Sequence, residues 1–131
     1  VHPHLLTILD GFFLVFHGTW VLFILTGWIH RRTRIAHLAV CAATALSWVG
    51  LGIFYGFGYC PFTEWHWQVL HAQGETGLPR SYLVYLLQRF AGIDPDPDWV
   101  DGAAVAGLVI PSLLGIALWW RARRLNTGAA P

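Results

Sequence analysis

Asp10, His17 and Trp20 share one apolar run, ILDGFFLVFHGTW. With 3.6 residues to the turn, Asp10 and His17 lie on one helical face, and Trp20 sits one turn beyond on nearly the same face. An ionisable side chain inside an apolar span is costly and faces another helix or a cavity. Two chemistries fit His17. It could bind a haem, pigment or quinone, with Asp10 and Trp20 completing a cofactor-binding set, or it could be a neutral imidazole hydrogen-bonded to a neighbouring helix. The sequence requires no cofactor. A bis-histidine haem would need His37 as the second ligand, but counted from the helix ends that approach the Arg-rich turn, His17 stands ~18 Å away and His37 only ~3 Å. His37, beside Arg34, reads instead as an interface residue with its polar edge in water.

A second group of chemically capable residues occurs in GYCPFTEWHWQVLHAQGE, residues 58–75. Cys60, Glu64, His66 and His71 have zinc-ligand character by composition. Their spacing matches no common zinc pattern, and histidines five apart on a helix point to different sides, so no metal site is assigned. Pro61 stops the preceding helix, Thr63 can cap a new one, and Glu64 suits its first turn. Trp65, Trp67 and Tyr59 have the character of headgroup-level belt residues. Cys60, Pro61, Thr63, Glu64, Trp65, His66 and Trp67 therefore read as a lid at a membrane edge.

The elements that position these residues are membrane spans. Hydrophobic residues make up 56% of the 131-residue chain and charged residues 11%, with a mean hydropathy of +0.52; a soluble domain carries about a quarter charged residues. Residues 5–29, 35–59 and 99–120 are each long enough for a ~30 Å hydrocarbon core. The expectation is an all-α integral membrane protein forming one domain over residues 1–131, with three transmembrane helices and short interfacial helices in the outer 60–98 segment. All eight basic residues are Arg, with Arg31, Arg32 and Arg34 following the first span and Arg121, Arg123 and Arg124 following the third. Cytoplasmic loops carry the Arg excess, so both clusters are expected inside, with the N-terminus and residues 60–98 outside. A fourth span at 81–93 would put one cluster on the wrong side. Gln88 and Arg89 suit a helix lying in the interface, with a short re-entrant path as the alternative.

Small residues form stripes on the second and third spans: Ala39, Ala43, Ser47, Gly52 and Gly56, then Ala103, Gly107 and Gly115 around Pro111. Such stripes allow close helix approach, either within the chain or against a partner. Common enzyme signatures are absent, including a nucleophile elbow, a Walker loop and HExxH, and the short membrane-adjacent Arg clusters do not suit nucleic acid. Cys41 and Cys60 would lie ~28 Å apart on a continuous helix, too far for a disulfide.

A membrane segment ending in CPFT, followed by EWHWQVL, a Gly-Glu turn and LPRSYLVYL, and preceded by a histidine in each of the first two spans, resembles the small bacterial membrane proteins grouped as domain of unknown function 2784. The similarity runs over about residues 8–120 and implies a membrane fold without a defined activity. The expectation is a non-catalytic accessory or structural subunit in the bacterial inner membrane, in contact with lipid and with a larger photosynthetic or respiratory complex. The alternative is a haem-, pigment- or quinone-binding redox protein using His17.

Overall fold

The computed structural model describes residues 2–128, which are helical with no strand among the described residues. Three helices are long and apolar enough to cross a membrane: α1 (Pro3–Thr26), α2 (Arg34–Tyr55) and the last, α5 (Pro97–Gly128). Between α2 and α5 lie α3 (Pro61–Ala72) and α4 (Tyr82–Leu86), the latter prolonged by a π-helical turn, Leu87–Ala91. This is an all-α, three-span architecture with short additional helices between the second and third spans.

Local chemistry sets the boundaries. Pro3 and Pro61 occupy first-turn positions, where the missing N–H is no loss. The turn after α1 closes through side chains: Thr33 Oγ1 donates to the Gly27 carbonyl at 2.7 Å and Arg34 Nε to that of Trp28 at 3.0 Å, satisfying carbonyls that a helix end leaves free. In α2 a π-helical turn occupies Leu46–Leu51. The helix stops at Gly56, whose φ of 106° suits glycine alone. This end comes four residues earlier than the sequence pattern suggests, because the apolar residues Phe57 and Tyr59 belong to a return rather than to the helix. Gly58 N–H donates to the Trp48 carbonyl at 3.2 Å, and Ser47 Oγ to that of Tyr59 at 2.7 Å. The chain thus doubles back along α2 before α3 begins.

That return decides where the intervening helices lie. Phe62, at the start of α3, packs against Phe16 at 4.7 Å and Trp20 at 6.1 Å between ring centroids, whereas His66, one turn later, meets Phe13 at 5.5 Å. α3 therefore starts beside the middle of α1 and runs antiparallel to it towards the N-terminal end. α4 follows the same course, with Tyr82 against His17 and Arg89 against Asp10. The 61–91 segment forms a hairpin only in the sense that the chain doubles back between its two helices, both of which run antiparallel to α1 along half its length. The long side chains Tyr82, Tyr85 and Trp67, which the alternation of polar residues hid, bury against Leu14 and Leu70 and hold it there.

A separate seam joins the three long helices. Ile24, Cys41 and Leu108 form its buried centre, with Trp20, Val40 and Trp48 against them. Gly115 of α5 faces His37 so closely that an added Cβ would lie 3.2 Å from His37 Nδ1 and 3.2 Å from Leu38 Cδ2. Gly107 similarly approaches Leu25. By contrast, Ala39, Ala43, Gly56 and Ala103 are exposed, while Ser47 and Gly52 are half-buried. The small residues of α5 serve helix packing at two points, and the Ala39/Ala43 edge of α2 covers nothing within the chain.

Candidate functional site

The hairpin supplies partners to Asp10. His66 is fully buried and its Nε2 lies 2.8 Å from Asp10 Oδ1. Arg89 grips the same carboxylate with both terminal guanidinium nitrogens, Nη1 to Oδ1 at 2.9 Å and Nη2 to Oδ2 at 3.0 Å, while Nη1 also donates to Tyr85 Oη at 2.6 Å. A two-pronged Arg–carboxylate pair of this kind fixes orientation as well as charge. On the other side of the imidazole, His66 Nδ1 is 2.9 Å from Tyr82 Oη.

These distances dictate proton positions. A carboxylate held by Arg89 only accepts, so His66 donates from Nε2, and its Nδ1 must then accept the Tyr82 hydroxyl proton. The order Tyr82, His66, Asp10, Arg89 is fully hydrogen-bonded in one register. Burial pushes His66 below its ordinary pKa of 6.5, against the opposing pull of Asp10. Burial raises the Tyr82 phenol, and the hydrogen bond to Asp10 raises the Arg89 guanidinium. All three directions favour neutral Tyr82, neutral His66 and cationic Arg89, so the network is charge-balanced at Asp10 and Arg89.

His17, read from the sequence as the central residue, lies next to this network without hydrogen-bonding to it. Its ring stacks on Tyr82 with centroids 3.8 Å apart and planes 11° from parallel. Its Nδ1 is buried without a hydrogen-bond partner. The hydrogen bond to a neighbouring helix that a neutral imidazole would be expected to form is replaced by stacking. Trp20 is elsewhere: its Nε1 donates to Thr44 Oγ1 of α2 at 3.0 Å. His37, expected at a wet interface, is fully buried, with Nε2 donating to the Ile24 carbonyl at 2.8 Å. The close Gly115 surface closes over it, which no pattern within α2 reveals.

His17 lines a cavity of about 510 Å³ between α1, the π-helical turn of α2, the return, α4 and the start of α5. Its volume falls in the ~300–1,000 Å³ range of small-molecule sites. Trp48, Phe57, Ile24, Leu86 and Leu108 make much of the wall apolar. The polar lining comes from His17, Cys60, Thr63, Ser81 and Tyr82, with Arg80 and Asp101 bridging the segment before α4 to α5. Of Asp10, His17 and Trp20, only His17 reaches this cavity. Among the other lid residues, Trp65 is half exposed, Trp67 packs on Tyr82 and Tyr85, and Pro61 and Glu64 lie in the first turn of α3. Among the described residues no cluster of three or more His, Cys, Asp or Glu is arranged to hold a metal ion.

His66 and Arg89 carried a signal in the sequence. Phe62, His66 and Leu70 recur every fourth residue, which puts His66 on the packed face of its helix. An acid within a span needs a cation, and only Arg80 and Arg89 lie outside the two Arg clusters.

The model of the family described as Protein of Unknown function (DUF2784) matches residues 7–122. The chain belongs to that family. The match includes Asp10, His17, the whole hairpin and the cavity-lining part of α5, so the DUF2784 region contains every residue of the network and the cavity. No curated protein and no solved structure matches the chain.

Proposed function

We propose that this DUF2784 protein is a non-catalytic membrane protein that holds a lipid-soluble small molecule, of quinone or pigment type, beside His17. The observation that carries this reading is the largely apolar cavity with the His17 imidazole in its wall. Asp10, engaged by Arg89 and His66, acts in this reading as the anchor of the hairpin wall rather than as a ligand-binding group. Trp20 braces α1 against α2. The Arg clusters support a bacterial inner-membrane orientation with both clusters cytoplasmic and the N-terminus outside.

A second reading, an accessory subunit of a larger photosynthetic or respiratory complex, is favoured by the exposed Ala39/Ala43 edge of α2. The two can be tested together by releasing the protein gently from its native membrane, recording a native mass spectrum and taking an absorption spectrum of the same fraction. A mass increment of one small molecule, lost in His17→Leu while the helical content stays, supports ligand holding. A bare chain co-migrating with other subunits supports the accessory role and counts against the ligand; a bare, lone chain argues against both.

A further inference from the structure

The ionic side chains around the cavity are already paired with each other. Arg80 and Asp101 both line it and form an ion pair, and Arg80 Nη2 also lies 3.7 Å from Asp98 Oδ1. Two carboxylates thus face one guanidinium, so the rim offers no free cation to a phosphate or carboxylate head. Nor does the lining offer a free acid to an ammonium head: Asp101 is engaged by Arg80, Asp98 lies outside the lining, and the remaining polar side chains are hydroxyl, thiol, indole and imidazole. His17 makes no ion pair among the described residues. An ion drawn into such a cavity would lose its hydration without gaining a counter-charge, which is strongly unfavourable.

What the lining does offer is neutral hydrogen bonding. An uncharged imidazole presents one N–H and one lone pair, and Thr63 and Ser81 can each donate or accept. These groups complement a carbonyl or hydroxyl. The walls from Val21, Ile24, Leu83 and Leu87 complement a branched apolar chain. We infer that the cavity beside His17 selects an uncharged amphiphile with a carbonyl- or hydroxyl-bearing ring and an apolar tail, a prenylated quinone in chemical class, and discriminates against lipids with charged heads. This rests on the ligand-holding reading above and adds to it the charge and hydrogen-bonding character of the head.

The test uses the full chain in mild detergent and three probes with the same decyl tail: decyl-ubiquinone, decyl phosphate and decyltrimethylammonium. Native mass spectrometry of equimolar mixtures reads the fraction of protein carrying each. The expected result is a bound population dominated by decyl-ubiquinone and reduced about tenfold in His17→Leu, the upper end of what one hydrogen bond contributes. Replacing both acids, Asp98→Asn with Asp101→Asn, frees Arg80 and should raise decyl phosphate binding about fivefold, the upper end for an exposed ion pair. The wild-type competition decides the matter alone if that variant fails to fold. Preference of the wild type for decyl phosphate or decyltrimethylammonium would overturn the uncharged-head inference and leave the cavity as a ligand site. Binding of none of the three would overturn the ligand-holding reading itself.

Discussion

Removing the Arg89 charge should loosen the hairpin selectively. In Arg89→Gln the Asp10 carboxylate, with a side chain only 12% exposed, keeps His66 as its one partner. Breaking a fully buried ion pair costs about 3–5 kcal/mol, because the remaining charge is left without compensation. The Arg89 side chain is 36% exposed, so water or headgroups can partly replace it. Solvent screening brings the expected cost down to about 2–3 kcal/mol. Hydrogen exchange resolved by peptide would read this as a rise of about 30- to 150-fold in the exchange of α3 amides, by the tenfold-per-1.4 kcal/mol relation. Amides of α5 around Leu108 and Pro111, in the separate seam, should not change. In Asp10→Asn with Arg89→Gln no charge is stranded, so the double variant should fall short of the sum of the singles by about 1–2 kcal/mol. Equal exchange in wild type and Arg89→Gln, or strict additivity in the cycle, would refute the claim that this pair latches the hairpin.

Two further outcomes follow from the same packing. Since burial holds His66 below 6.5, the unfolded chain takes up a proton there that the folded chain resists; the stability from neutral His66 is complete above pH 6.5 and declines as pH falls below it. Thermal midpoints measured from pH 7.5 to 5 should therefore fall more steeply in wild type than in His66→Gln, and parallel curves would contradict the assignment. Gly115→Val should cost about 1–3 kcal/mol by overpacking, because its Cβ meets a His37 ring pinned to the Ile24 carbonyl; an unchanged melting temperature would show that the seam can shift.

The three long helices were legible because the solvent they require leaves a direct mark: long apolar runs with at most one acid, ended by Arg on two of them. The path between α2 and α3 was not. Phe57 and Tyr59 are apolar enough to extend a span, and only Gly56 and Gly58, with φ of 106° and 87°, reverse the chain. Glycine in a sequence signals permission to turn rather than a turn, so the early stop was invisible. The site divided in the same way. Asp10 and His17 stood out as ionisable residues in an apolar run, but their surroundings came from residues 56 and 65 positions away, His66 and Tyr82. Trp20 shared their helical face by periodicity, yet the hairpin covers one part of that face and α2 the other. His37 looked wet because Arg34 is nearby in sequence; its burial depends on Gly115, on another helix.

The return at residues 56–60 also bears on how any topology map of this chain should be read. Labelling reagents and proteases report shelter, and His66, Leu70 and Val84 are buried as deeply as the seam residues Ile24, Cys41 and Leu108 of the three long helices. A map built on protection would score α3 and α4 as crossings and arrive at five, which would put the two ends of the chain on opposite sides for the wrong reason. Reporters fused after Gln73 and after Ile93 are expected on the same side, because α3 and α4 both run from beside the middle of α1 towards its N-terminal end.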